Sequence, residues 1–516
     1  MDFILKDGFV FSGGEFFQSD VVISGDLILK VGKVKKGEFP GFEKIDCSGK
    51  LVLPSFTDSH LHLEAFADSL GEVDLRNAKT LEEALYLVSE FRKAIPSGDW
   101  ITGGRWDKNL WKEPCFPKAS DLDPVTGDHP AALWSKDGHA LWLNSLAMSA
   151  LKISRETPDP PGGKILREDD GTPSGILLEN ACDLYGGKLS NLKEEGEPDL
   201  KKAVRYLQKQ GVSGCNWILE RDWDPLSFIS YLDSQNLDFD CTLWFPRESI
   251  EAVIKSGLKS GDGTDRVKLG GIKLFADGAL GSQTALLLSP YEGSTSCGIE
   301  VTPKSELEKI VSLLAEKEIG VSIHAIGDLA VRNAIQAFYP KRDVNMKLRS
   351  RIEHVQLIHP DDLAPFFKSG LMASVQPIHA VSDRKMAIAL WGERVKFSYP
   401  YRSLHSAGIH LAFGSDAPVE EPSPLKGIYA ACLRQTPFVE EEPFLPEEAL
   451  DLKDALEAYT YWGAWGTFQE KNKGRIAPGI KGDLVVLSEN LGKKPLKALG
   501  KTEVFLLLYR GKIVRV

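Results

Sequence analysis

Six side chains in this 516-residue chain have the types and spacing to hold and activate a metal ion. His60 and His62 stand two apart at the end of an apolar run, and residues i and i+2 of a strand face the same side. His324 and His354 each close a further β-like run, and Asp416 follows Phe413-Gly414-Ser415 at the end of another. Imidazole and carboxylate are ligands that zinc and related divalent ions favour, so their convergence from four strand ends points to a metal site. Lys273 lies in the apolar run Gly271-Ile272-Lys273-Leu274-Phe275 and alone would read as a strand-end lysine with its amine in solvent. Beside cations, burial and like charge both lower its pKa, and the neutral amine can combine with carbon dioxide. The resulting carbamate is an anion with two oxygens, able to bridge two metals. The expected ligands are therefore His60, His62, Lys273, His324, His354 and Asp416, for one or two divalent ions per chain, zinc by ligand type.

These residues must be carried by a scaffold that aims them at one point. From about residue 200, β-like runs alternate with helical stretches: 212–217, 238–245, 271–275, 320–324, 351–355, 372–376 and 410–415. With 50–62 as the first, eight runs predict an α/β fold, a (β/α)8 TIM barrel whose chemistry sits at the C-terminal strand ends. The first fifty and last forty residues alternate short apolar runs with turn signals, which predicts one small β-sandwich built from both chain ends. The expected domains are 1–54 with 473–516 for the sandwich, 55–64 with 205–472 for the barrel, and 65–204 for a large insertion after the first barrel strand. That interval is too long for a plain connection and is expected to form a subdomain at the active-site mouth. It carries Trp100, Trp106, Trp111, Trp134 and Trp142, which would either form its own core or line an apolar substrate pocket.

Composition bounds the remaining classes. At 42% hydrophobic and 26% charged residues the chain is globular rather than disordered. A net charge of -11 argues against a generic nucleic-acid binder. No apolar run approaches the ~20 residues that span a bilayer, and the N-terminus lacks a basic segment followed by an apolar one. The seven cysteines include no CxxC pair and predict reduced thiols, neither a disulfide framework nor a cysteine zinc site. The expectation is a soluble cytoplasmic protein, without a nucleic-acid or membrane partner, that could form a homo-oligomer.

The constellation resembles the amidohydrolase superfamily: His-x-His on strand one, Lys on four, His on five and six, Asp on eight. Pro54-Ser55-Phe56-Thr57-Asp58-Ser59-His60-Leu61-His62 is similar to the family's P-G-F-I-D-x-H-x-H, with Ser55 and Thr57 where Gly and Ile are usual. Gly474-Arg475-Ile476-Ala477-Pro478-Gly479-Ile480-Lys481-Gly482-Asp483-Leu484 is similar to G-x-I-x-P-G-x-x-A-D-L, with Gly482 for Ala. A narrower resemblance, to the YtcJ-like branch of amidohydrolase family 3, rests on Lys136 to Ser145, Asp277 to Ala285, His324-Ala325-Ile326-Gly327-Asp328, Gln376-Pro377-Ile378-His379 and Gly414-Ser415-Asp416-Ala417-Pro418-Val419. The resemblance implies hydrolysis of a non-peptide, amide-type C–N bond in a small molecule. Metal-activated hydroxide would attack the carbonyl, and Asp416 would accept its proton and pass it to the leaving nitrogen. Candidate substrate contacts are His139, Glu179, Asp277 and His379. Two rivals stay open: a mononuclear deaminase of the same superfamily, which needs no carbamate, and a non-catalytic interaction protein that keeps the fold.

Overall fold

The apolar runs after residue 200 form parallel strands because strands buried on both faces need near-continuous apolar sequence. The barrel strands are β1 (Phe56–Leu61), β2 (Val212–Ile218), β3 (Asp240–Phe245), β4 (Val267–Phe275), β5 (Gly320–Ala325), β6 (Arg351–His354), β7 (Met372–Val375) and β8 (Leu411–Phe413). They pair in parallel, each with the next, in one eight-stranded sheet. Amphipathic helices alternate with them. Lys304–Glu316 buries Leu307, Val311 and Leu314, one face of a 3.6-residue period. Pro225–Ser234 starts where the Asp224 carboxylate accepts from Ser227 N–H at 2.9 Å.

The structure is a computed structural model describing all residues except 1, 109–110, 114, 137–139, 161–162, 180, 183–184, 186–198, 339–340 and 515–516, and the side chain of Glu179. The described residues fall into two compact units, Ala67–Asp199 and the remainder of the chain. Among them, no helix is long and apolar enough to cross a membrane.

The sheet closes just beyond β8. Leu61 and Ala417 form a parallel bridge, Asp416 N–H donates to His60 O at 2.8 Å, and His62 N–H donates to Ala417 O at 3.0 Å. Gly414 permits that approach, since a Cβ there would lie 2.4 Å from His60 N and 2.8 Å from His60 Cβ.

The run expected as one strand over 50–62 is two strands. Leu51–Pro54 belongs to a second sheet, and the chain turns into β1 at Ser55, whose N–H donates to Asp483 O at 2.9 Å. Both pieces are fully buried, so hydrophobicity alone does not mark the break. In the second sheet Lys512–Val514, Val504–Tyr509, Leu484–Leu487, Leu51–Pro54, Asp2–Ser12, Glu15–Ser24 and Leu27–Val31 lie in that order, with Glu43–Asp46 paired to Asp2–Ser12. Both chain ends thus build it, around Phe3, Val10, Ile23, Val52, Val486 and Leu508. A buried polar knot ties it to the barrel: Asp240 of β3 accepts from Tyr509 Oη at 2.8 Å and from Lys473 Nζ at 2.9 Å.

The unit Ala67–Asp199 has a six-stranded sheet in the order Gly163–Arg167, Pro173–Glu179, Ala140–Leu143, Ala131–Ser135, Ile101–Trp106, Val73–Asp74. Trp106, Trp111 and Trp142 are buried in its core with Leu133 and Ile176, and Trp106 Nε1 donates to Leu133 O at 2.8 Å. Trp100 and Trp134 pack half-buried against a neighbouring apolar cluster of the same unit.

Because the Gly414 contact is with backbone, side-chain rotation cannot relieve it. Gly414→Ala is expected to destabilise the protein by about 1–3 kcal/mol, the usual cost of overpacking a core, measured as a lowered urea midpoint. An unchanged midpoint would mean that closure does not depend on this approach.

Candidate metal centre

β1 delivers two imidazoles to its C-terminal end, and the closure of β8 onto β1 brings a carboxylate to them. Asp416 Oδ1 lies 3.4 Å from His60 Nε2 and 3.4 Å from His62 Nε2. Ligands about 2.0–2.1 Å from a tetrahedral ion lie about 3.3–3.4 Å from one another, so this spacing suits a zinc-sized cation. His60 Nδ1 pairs with the buried Glu353 Oε2 at 2.7 Å, and His62 Nδ1 lies 3.0 Å from Glu220 Oε1. A carboxylate on the second ring nitrogen orients the ring and leaves Nε2 for the ion.

β5 and β6 bring the next two rings. The His324 and His354 centroids are 4.5 Å apart, and those of His354 and His60 4.9 Å. His354 Nδ1 meets Gln376 Oε1 at 2.8 Å, which leaves Nε2 free. His324 Nε2 meets Gly278 O at 2.9 Å, which leaves Nδ1 as the ligating atom. Lys273 is buried on β4, and its Nζ has no hydrogen-bond partner among the described residues. Burying an ammonium without a partner is costly, which favours the neutral amine at this position. Phe275, two residues on, places its ring centroid 5.2 Å from Lys273 Nζ and 5.3 Å from His324, yet stays 45% exposed.

The electrostatics favour the ligating forms of His60, His324, His354 and Asp416. Burial, and the neighbouring Lys273 charge, push His324 down to about 3; burial holds His60 low and His354 well below its ordinary value. All three are then neutral at pH 7, as ligation requires. Burial works against the Asp416 carboxylate, but His60, His62, His354 and His379 outweigh it and hold its pKa well below the usual range. Burial likewise pulls His62 down, and the carboxylates of Asp416 and Glu220 reverse this and raise it to about 9. Lys273 is lowered to about 8, mainly by burial, which Glu353 and Asp416 resist and Arg351 reinforces.

Of the candidate substrate contacts, His379 is drawn into the same cluster: His354, His379 and Asp416 also offer ligand atoms within 4.8 Å of one another. Asp277 is not free to meet a substrate. Its carboxylate is buried and accepts from Ile326 N at 3.0 Å, Gly327 N at 2.8 Å and Leu286 N at 2.8 Å, so it holds the loops after β4 and β5 together. His139 and the Glu179 side chain lie outside the described residues.

Sequence reasoning missed Glu353, which binds His60 on one oxygen and accepts from Ser322 Oγ at 2.6 Å on the other, with Arg351 Nε also 2.6 Å away. On a regular strand Glu353 and His354 would face opposite ways. His354 and Val355 instead take left-handed φ values of 73° and 45°, which bring both side chains to the site. Asp58 was missed as well: its carboxylate accepts from His60 N at 3.1 Å and Ser415 N at 3.0 Å, across the closing seam. Its place two residues before His60, on the same strand face, was the available signal.

Residues 43–515 match the model of a family described as the amidohydrolase family. The chain belongs to the amidohydrolase family. It is 31% identical over 484 residues to the putative amidohydrolase YtcJ of Bacillus subtilis (strain 168), covering 92% of this chain and 90% of that protein. It is 26% identical over 494 residues to an N-substituted formamide deformylase of Arthrobacter pascens, covering 91% and 90%. The crystal structure of an uncharacterized metal-dependent hydrolase from Pyrococcus furiosus superposes with a TM-score of 0.72 at 29% identity, covering 94% of this chain and 98% of that one.

Glu353 is the carboxylate behind the His60 ring. Removing its charge while keeping its shape, by Glu353→Gln, should weaken divalent-metal affinity about 10- to 100-fold, the usual effect of losing a carboxylate behind a ligating imidazole. Competition with a chromogenic chelator measures this, and wild-type affinity in the variant would remove Glu353 from the site.

Proposed function

We propose that this protein is a metal-dependent hydrolase of a small molecule with a non-peptide, amide-type C–N bond. The observation that carries the reading is the single Asp416 oxygen 3.4 Å from both His60 Nε2 and His62 Nε2. Those three residues would hold one divalent ion, zinc by donor type, and Lys273, His324 and His354 would complete a second position. When bound, such ions supply a more acidic water and a Lewis acid for the scissile carbonyl.

The chain's own residues do the rest. Asp416 is ionised and beside the reacting centre, so it can take the water's proton and hand it to the leaving nitrogen. Glu353 and Glu220 keep the β1 imidazoles oriented. Phe275 offers an exposed aromatic face against His324, which suits a substrate with an apolar substituent. The deformylase among the relatives supports a C–N bond as the target.

Two experiments test this reading. Freshly purified protein should carry one or two equivalents of divalent metal and hydrolyse members of a panel of N-formyl and N-acyl amines. Absence of metal and of turnover would leave the interaction-protein rival, and one metal with release of ammonia from an aminated ring would favour the deaminase. Within that assay Asp416→Asn should lower kcat by about 10² to 10⁴, the span of general acid–base catalysis. A raised KM with unchanged kcat would make Asp416 a binding residue only.

Lys273 is proposed to react with carbon dioxide, forming an N–C bond and releasing a proton, to give the carbamate that links the two ion positions. Lys273→Ala should lose the second equivalent of metal and most activity, and millimolar propionate should restore part of both. Full metal content in the variant would contradict the carbamate.

A further inference from the structure

What the second nitrogen of each imidazole meets separates His379 from the other histidines of the site. The second nitrogens of His60 and His62 face the carboxylates of Glu353 and Glu220, that of His354 faces Gln376 Oε1, and that of His324 faces Gly278 O. All four partners are acceptors, and those of His60, His324 and His354 hydrogen-bond the nitrogen they face, which puts the ring proton there and turns a lone pair to the site. His379 meets the opposite: Gln356 Nε2, an amide donor, lies 3.3 Å from its Nδ1. A neutral ring that accepts at Nδ1 carries its proton at Nε2. That Nε2 is buried in a side chain only 8% exposed, has no hydrogen-bond partner among the described residues, and lies 3.8 Å from Asp416 Oδ2.

We infer that His379 Nε2–H is the hydrogen-bond donor to the scissile carbonyl oxygen as it gains charge, and that Gln356 is the positioning residue that sets this tautomer. The inference rests on the hydrolase reading above. It makes His379 a catalytic residue rather than a fifth imidazole ligand, although its place beside His354 and Asp416 would suit either role. A preorganised donor in a water-poor site acts where negative charge develops, so it serves kcat more than ground-state binding. Gln356 Oε1 has no donor among the described residues, so the identity of the amide end that faces Nδ1 is the decisive variable.

Gln356→Glu tests this directly, because a carboxylate can only accept and would draw the proton to Nδ1. Nitrogen-15 spectra of protein labelled in histidine, with the His379 signals assigned by their loss in His379→Ala, should show wild-type His379 protonated at Nε2 and bare at Nδ1. Gln356→Glu should reverse the two. Gln356→Met, which neither donates nor accepts, should show a mixture and serves if the buried glutamate prevents folding. In the amide assay His379→Ala and Gln356→Glu should each lower kcat by about 10² to 10³, with KM within about threefold and metal content unchanged. A wild-type His379 bare at Nε2, or the loss of one metal equivalent in His379→Ala, would overturn the inference. Turnover of amides by the wild type, with His379→Ala at full kcat, would overturn it alone. A wild type that carries no metal and turns over no amide would overturn the hydrolase reading with it.

Discussion

The Asp416 carboxylate reaches His60 and His62 only because the barrel closes at that point. β8 is three residues long, and Asp416 lies three residues past its last strand position. Its side chain is held there by its own N–H bonded to His60 O, by the Asp58 carboxylate that spans His60 N and Ser415 N, and by the absence of a Cβ at Gly414. The contacts that complete the sheet are therefore the contacts that set the ligand spacing. Stability and site geometry share these residues, which is why the strain of a left-handed φ of 59° at Asp416 is tolerated.

Nitrogen groups and carboxylates alternate around that seam. Arg351 lies against Glu353, Glu353 holds His60, His60 and His62 share Asp416, and Glu220 stands behind His62. Buried ionised groups are tolerated when each is partnered, and strongly destabilising when one partner is missing. Lys273 breaks the alternation, since it is buried with no hydrogen-bond partner among the described residues. Arg351 rests its guanidinium 4.2 Å over the Trp244 ring, an option a lysine amine 5.2 Å from the Phe275 centroid shares only weakly. The amine therefore stands out as the cation of the site that has no carboxylate against it among the described residues.

The residues that meet at the candidate site and the barrel runs were legible in the sequence because each depends on local information. A strand buried on both faces reads as an apolar run, and His60 and His62 at i and i+2 need only a regular strand to face together. The features that were not legible depend on departures from regularity or on distant partners. The turn at Ser55 separates two equally buried strands. Glu353 becomes visible only once His354 turns left-handed. Asp277, two residues beyond Phe275, looked like a mouth residue, but three backbone N–H groups, one from its own loop and two from the loop after β5, draw it inward. The pairing of Gln356 with His379 joins a segment after β6 to one after β7, and no spacing along the chain announces it.

His354 and His379 show how far such pairings decide chemistry. Their rings are nearly parallel, 6.3 Å apart and inclined by 6°, and each has a glutamine at Nδ1. Gln376 presents its carbonyl, and its own amide is anchored by Ser374 O at 3.4 Å, so His354 turns a lone pair toward the site. Gln356 presents its amino end, so His379 turns a proton toward it. Residue type, burial and orientation are shared between the two imidazoles, and only the end of an amide several ångströms from the reaction separates them. In a site with this many histidines, the division between holding a cation and donating a hydrogen bond lies in those outer partners rather than in the rings themselves.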